Sequence, residues 1–419
     1  MVRIKLSYSE KKSRTLLFYI RDKVALDNLA PVIWSLSDTN NEVLIVVTEP
    51  ETYLQIKESW WFFDCPNAKI SRMFLVNTQN YLFRKLLRIR WSMGIVKPFV
   101  MRNSVQVVVT DWGEGVPTPA RRFFSRLYRY WFSDMSTQLQ IVAAKQSLPS
   151  VALPHGHSAP ATLIESAHVK EVMQSNGGKL PFADRNSFTR YVFESEYHRD
   201  VVVNHSTMSG ENTQVWGSAR FNDYWVKHLY DATTSAPLTH ASESQKRTVL
   251  FFTPKWFHLI DKDETLKLAI ALASENTIQL VIRGHARTHD AVLTKEDKSL
   301  VEQLGSVTFV PDNTPSPSLI QACDVLVDVD SSIAFDAVLL NKPYVRPRYL
   351  QDASVRTIWD TLGGAHQTDS LADTVALLTK DILLPAPRDP QFEQVVFGGA
   401  GVDVLRRYRD GLLAIAASE

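Results

Sequence analysis

Short apolar runs recur along this 419-residue chain, and most are separated by stretches long enough for a helix. Thr15–Ile20 (TLLFYI), Val43–Thr48, Met73–Val76, Val105–Thr110 (VQVVVT) and Leu139–Ala143 are rich in β-branched residues and bounded by polar or turn residues. Strands with no polar face belong inside a parallel sheet covered on both sides by crossover helices. Val151–Leu153, Tyr191–Phe193, Val201–Val203 and Gln214–Trp216 continue the series. Asp231–Arg247 then breaks the rhythm: it is small, polar and without apolar periodicity, as a linker is. The pattern restarts at Thr248–Thr253 (TVLFFT) and continues through Ile278–Arg283, Val307–Val310, Val325–Asp328 and Pro343–Val345. Between these runs Asp263–Ser274 places Leu266, Leu268, Ala269 and Leu272 on one helical stripe. The expectation is an α/β protein of two doubly wound domains, residues 1–235 and 248–419, joined by a linker over 236–247. The last helix is free to pack back on the first domain.

Charge and cysteine content narrow the function. Lys+Arg (46) nearly cancel Asp+Glu (45), so a protein that coats nucleic acid is disfavoured. Cys65 and Cys323 are too few for a disulfide scaffold or a cysteine-built zinc site, which fits a reducing compartment. No apolar run approaches the roughly 20 residues of a membrane helix. The expected location is the cytoplasm, with room for peripheral contact at the inner membrane surface. Residues 82–102 and 121–132 mix arginine and lysine with aromatics, which suits anionic headgroups or a lipid-linked glycan. Amphipathic helices that bury their aromatics would read the same way.

Ligands of doubly wound sheets bind beyond the carboxyl ends of the strands. Val151–Leu153 runs into Pro154-His155-Gly156-His157, and an imidazole there can take a proton from an attacking hydroxyl. A histidine bonded to a loop carbonyl is the alternative. Trp216 is followed by Gly217-Ser218-Ala219-Arg220, where Arg220 could clamp an anion or pair with Asp223. In the second half, Thr253-Pro254-Lys255 and Arg283-Gly284-His285 bring hydroxyl, amide and cationic groups suited to a diphosphate. Val325–Asp328 leads through Asp330 to Ser331, Ser332 and a helix start, a phosphate-binding arrangement or an ordinary N-cap. Asp336, one turn in, could reach ribose hydroxyls or simply complement the helix dipole. Asp111-Trp112-Gly113-Glu114-Gly115 could line an acceptor or be an acidic turn. His155 and His157 lack a third ligand nearby, so no metal site is expected.

The His-Gly loop, the Thr-Pro-Lys-Trp loop, the Arg-x-His loop and the run DVLVDVDSSIAFDAVLLNKPYV together resemble the CDP-glycerol glycerophosphotransferase family and related bacterial surface-polysaccharide glycosyltransferases. The resemblance covers roughly residues 150 to 350. It implies the GT-B architecture, two Rossmann-like domains facing a central cleft, and a metal-independent transferase with no cofactor beyond its nucleotide-activated donor. It further implies His155 as base for the acceptor hydroxyl, and His285 with Arg283 at the donor phosphates. Ser331 and Ser332 would face the diphosphate, and Asp336 would be the acidic position of the following helix. The donor would be CDP- or CMP-linked, the acceptor a glycan or lipid-linked glycan. A carboxylate such as Asp223 or Asp330 would serve as nucleophile if the product kept the donor's stereochemistry. The alternatives are a nucleotide-sugar 2-epimerase and a non-catalytic nucleotide- or glycan-binding protein.

Overall fold

The structure is a computed structural model, which describes residues 14–72, 95–116, 134–155, 167–233, 246–254, 259–284, 293–305, 307–311, 314, 316–329, 331–399 and 401–418. Seven parallel strands form one sheet: β1 (Thr15–Ile20), β2 (Glu42–Val47), β3 (Ala68–Arg72), β4 (Val105–Asp111), β5 (Ser150–Leu153), β6 (Arg190–Phe193) and β7 (Thr213–Val215), in the order β3-β2-β1-β4-β5-β6-β7. Six parallel strands form the other: β8 (Arg247–Phe252), β9 (Ile278–Arg283), β10 (Val307–Val310), β11 (Val325–Val327), β12 (Tyr344–Pro347) and β13 (His366–Thr368), in the order β10-β9-β8-β11-β12-β13. The order reverses between β1 and β4 in the first sheet and between β8 and β11 in the second. Those are the switch points where such sheets open a crevice for ligands.

Both faces of the sheets are covered, as the strand composition requires. Leu16, Phe18, Ile45 and Val109 pack against Leu29 and Ile33 of the Lys23–Trp34 helix. Leu17, Val46 and Val108, on the opposite face, meet Met135, Leu139 and Val142. In the second sheet, Val249 and Ile282 bury Leu268 and Leu272 of the Lys262–Ser274 helix, while Leu250 and Leu326 pack with Leu319 and Phe335.

Two apolar runs expected as strands are helical. Leu139–Ala143 lies within the Met135–Lys145 helix, whose N-cap Asp134 accepts the Thr137 N–H, and every residue from Met135 to Ala143 is buried. A short, mostly apolar run inside a fully buried helix cannot be told from a buried strand by periodicity. Val201–Val203 falls in the Glu196–Asn204 helix, started by the side chain of Ser195. The third strand is Ala68–Arg72, and the expected run at Met73–Val76 lies outside the described residues. So do residues 234–245, which hold most of the expected linker, and the basic-aromatic stretches over 82–94 and 121–132. No helix among the described residues is long and apolar enough to cross a membrane.

The chain passes between the two cores more than once. Val226 and Tyr230 of the Asp223–Ala232 helix join the second core, whereas Val404, Tyr408 and Leu412 of the final Val402–Ala417 helix join the first. Residues 217–223 are fastened to the returning segment. Ser218 N–H donates to the Phe397 carbonyl at 2.7 Å, Asn222 Nδ2 to the Gly401 carbonyl at 2.6 Å, and Gly401 N–H to Asp223 Oδ1 at 2.7 Å. Gly398 permits this contact. Its φ is +68°, and a Cβ there would lie 1.9 Å from the Glu194 carbonyl oxygen. Gly398→Ala is therefore expected to cost roughly 3 kcal/mol or more, from left-handed backbone strain plus overpacking against main chain. Urea denaturation measures this, and a variant as stable as wild type contradicts the packing described.

Candidate active site

β4 ends in Asp111, paired in register with Leu153 at the end of β5. Two residues beyond Leu153, His155 Nδ1 hydrogen-bonds Asp111 Oδ2. The carboxylate is buried, with a side-chain exposure of 2% against 30% for the imidazole. Arg21, which follows β1 on the far side of β4, brings Nη2 to 3.9 Å from the same oxygen. Arg21 is itself steadied by Asp22, whose other oxygen accepts the Ala25 N–H and caps the Lys23–Trp34 helix. A buried carboxylate thus sits between a guanidinium and an imidazole at the first sheet's switch point. With Nδ1 occupied, Nε2 is the nitrogen left for a substrate hydroxyl, the arrangement a histidine base needs. Sequence reasoning offered Asp111 as part of an acceptor lining or of an acidic turn, and did not pair it with His155. The available signal was a buried strand running directly into an acid.

Where the two halves meet, Arg220 of the first and Asp336 of the second, both expected to hold ligand, hold each other. Arg220 Nη1 and Nη2 donate to the two Asp336 carboxylate oxygens at 2.9 and 2.7 Å. Asp336 is wholly buried, which removes it from the reach of a ribose in this arrangement. Arg220 thus pairs with a carboxylate far along the chain, and Asp223 holds the Gly401 amide. A second carboxylate, Asp27, keeps solvent exposure on the Lys23–Trp34 helix but is crowded by both halves. The protein packed around it, and Asp336, raise its pKa against the pull of Arg220, Lys23 and Arg283.

Thr253 and Arg283 end adjacent strands and are joined through main chain, the Thr253 N–H donating to the Arg283 carbonyl at 3.0 Å. The Arg283 guanidinium donates to Ser316 Oγ at the start of the Ser316–Ala322 helix and lies 5.3 Å from the Phe252 ring centre. The serine pair is only half available. Ser331 N–H donates to Asp328 Oδ2 at 2.8 Å and its hydroxyl accepts the Ile333 N–H, whereas Ser332 makes no side-chain capping bond. His157, Lys255, His285 and Asp330 lie outside the described residues. Among the described residues no group of three His, Cys, Asp or Glu side chains is placed to hold a metal ion.

Beneath the first-half loops, Asn28, Pro154, Glu194, Ser218, Arg220 and Tyr408 line a cavity of ≈ 10 Å³, room for about one water. Glu194 follows β6 and is almost wholly enclosed, and burial pushes its carboxyl pKa up to about 7. Burial also lowers His198, one turn along the next helix, to about 4.

No family model matches the sequence, and no curated protein matches it at a significant level. Solved structures do match. A UDP-GlcNAc 2-epimerase from Neisseria meningitidis bound to UDP-GlcNAc aligns with 97% of this chain and 100% of its own, at TM-score 0.58 and 11% identity. A UDP-N-acetylglucosamine 2-epimerase from Rickettsia bellii gives 0.57 and 14% over 97% and 96% of the two chains. A glycosyltransferase from Rickettsia africae gives 0.54 and 10% over 97% and 100%. The chain therefore has the GT-B-like fold of two Rossmann-like halves. These likenesses establish architecture, and none of the family or curated comparisons supports the CDP-glycerol resemblance in particular.

The Glu194 carboxyl makes a pH prediction. Its folded pKa lies above the ordinary 4.5, so its stabilisation is complete below that value and is lost as pH rises through about 7. His198 opposes this between about 4 and 6.5, where the unfolded chain binds the extra proton. Glu194→Gln isolates the first effect. Relative to the variant, wild type should lose on the order of 3 kcal/mol between pH 4.5 and 8 in urea denaturation. Parallel profiles contradict the assignment.

Proposed function

We propose that this chain is a GT-B-type transferase that moves a glycosyl or glycerol-phosphate group from a nucleotide-activated donor, CDP- or CMP-linked, to a bacterial surface polysaccharide, a teichoic-acid-like polymer or a lipopolysaccharide. The observation that carries the reading is the His155–Asp111 pair at the first sheet's switch point. An acceptor hydroxyl gives its proton to His155 Nε2 as its oxygen attacks the donor's reacting carbon or phosphorus. The bond to the nucleotide breaks, and the departing phosphate keeps the electron pair. Asp111 stays ionised and stabilises the imidazolium. Arg283 and Ser332, with Lys255, His285 and the Ser331 hydroxyl, meet the charge that develops on the leaving nucleotide. Arg220 and Asp336 hold the second-half helix in place for this.

The scheme is written as direct displacement; of the two carboxylates considered as nucleophile, Asp223 is engaged with the Gly401 amide and Asp330 lies outside the described residues. The donor is a substrate, and the scheme uses no separate cofactor. Peripheral attachment to the inner membrane surface fits the basic-aromatic stretches, where Lys97 and Arg102 are exposed beside exposed Ile95 and Met101. A second reading, a nucleotide-sugar 2-epimerase, follows from the fold shared with UDP-GlcNAc 2-epimerases.

The test combines nucleotide binding with turnover. CDP, CMP, UDP and GDP are screened for a rise in melting temperature, then donors carrying the binding nucleotide are incubated with envelope glycans. His155→Ala and Asp111→Asn should each lower turnover by roughly 10²- to 10⁴-fold while the nucleotide-induced Tm rise persists. Turnover that survives His155→Ala overturns the mechanism. Epimerised sugar formed from donor alone replaces the transferase reading with the epimerase, and binding without turnover of any donor indicates a non-catalytic protein.

A further inference from the structure

Trp112, the residue after Asp111, has a backbone that bulky side chains avoid. Its φ is +36°, a left-handed conformation that costs a non-glycine residue about 1–2 kcal/mol. The surrounding contacts hold it there. Trp112 N–H donates to the Leu153 carbonyl at 2.8 Å, locking the ends of β4 and β5 together two residues before His155. Gly113 and Gly115 let the loop press onto residues 182–188, since a Cβ would lie 2.2 Å from Phe188 Cζ and 2.0 Å from the Asp184 carbonyl oxygen. Val116 N–H donates to Ser187 Oγ at 2.7 Å. Arg185, buried, stacks its guanidinium 4.6 Å from the indole centre, and Tyr191 meets the indole edge at 6.3 Å.

Packing alone does not call for tryptophan at this place. The indole remains partly exposed, whereas Trp61, Trp225 and Trp359 are core residues with 4% exposure or less. Glycine or asparagine would take the same φ with less strain. Strain of this kind, over-determined by its surroundings and next to a proposed proton acceptor, marks functional positions. A second observation lies alongside. The hydroxyls of Thr110, one residue before Asp111, and of Tyr191 are wholly buried and find no hydrogen-bond partner among the described residues. Buried polar groups left over in this way usually answer to a water or a ligand.

We propose that Trp112 is a stacking platform for a pyranose ring, held beside the His155–Asp111 pair. The C–H face of a pyranose lies on an aromatic ring, here on the part of the indole left exposed. The inference rests on the reading that this site acts on glycosylated substrates. The ring belongs either to the donor or to the acceptor, and the chemistry of recognition is the same for both.

Fluorine NMR of the fluorotryptophan-labelled full chain tests it, with the Trp112 line assigned by its loss in Trp112→Phe. The probes are UDP, CDP, UDP-GlcNAc, CDP-glucose, methyl pyranosides and, as a polyol without a ring, glycerol. The Trp112 line is expected to move with CDP-glucose if the ring is the donor's, or with a methyl pyranoside if it is the acceptor's. It should stay in place with UDP, CDP and glycerol. Trp112→Ala should weaken binding of the responding probe roughly fivefold to tenfold, and Trp112→Phe should retain most of it. If no pyranose-bearing probe moves the line, or a nucleotide without sugar moves it equally, the platform is wrong. If pyranosides move it while no nucleotide raises the Tm, the platform stands and the transferase reading falls.

Discussion

Parallel strands cannot be joined by a tight turn, so every connection must cross over the sheet and return to the same end. That constraint gathers all the carboxyl ends of a sheet on one edge. Everything of chemical interest here is a consequence. Asp111 ends a strand of the first sheet and Arg21, His155 and Glu194 follow others, as Thr253, Gly284 and Asp328 do in the second. Arg21 and Asp111, 90 positions apart, and Asp111 and His155, 44 apart, meet because they occupy equivalent places on one edge.

A second requirement is that the two edges keep a fixed relation. The bidentate Arg220–Asp336 pair, with both partners removed from bulk water, supplies part of it. Such a pair adds little net stability over an apolar substitute, but removing one partner leaves a buried charge uncompensated at about 3–5 kcal/mol. Its contribution is geometric. Together with the fastening of residues 217–223 to 397–401, it joins the segment leaving the first sheet to the helix that follows β11. The two residues that sequence patterns offered as ligand contacts are therefore part of the frame that positions the contacts.

The fold was legible because its signal is local and repeated. β1, β4, β8 and β9 are dominated by β-branched and other apolar residues, and two such series separated by a polar stretch mean two doubly wound halves. Where the signal was short and apolar on all sides, as at Leu139–Ala143, helix and strand could not be separated. The site was less legible. His155 announced itself by following a strand with glycine next to it, but its partner lies 44 positions earlier and is visible only once β4 and β5 are neighbours. Arg220 and Asp336 were singled out for their chemistry, and only their contact shows what that chemistry is used for. The Asp328 carboxylate that takes the Ser331 amide shows the same limit at shorter range. A side chain's type reveals what it can bind. Which partner reaches it first is decided by the fold.

The central claim is that a nucleotide held at the edge of the second sheet presents its reacting group to His155 across the cleft. A crystal structure with the nucleotide diphosphate that most raises the Tm tests this most directly. The account predicts pyrophosphate lying between Arg283 and Ser332, with its terminal phosphate directed toward His155 Nε2. A nucleotide bound elsewhere, or a pyrophosphate on the far side of the second sheet from His155, would contradict it.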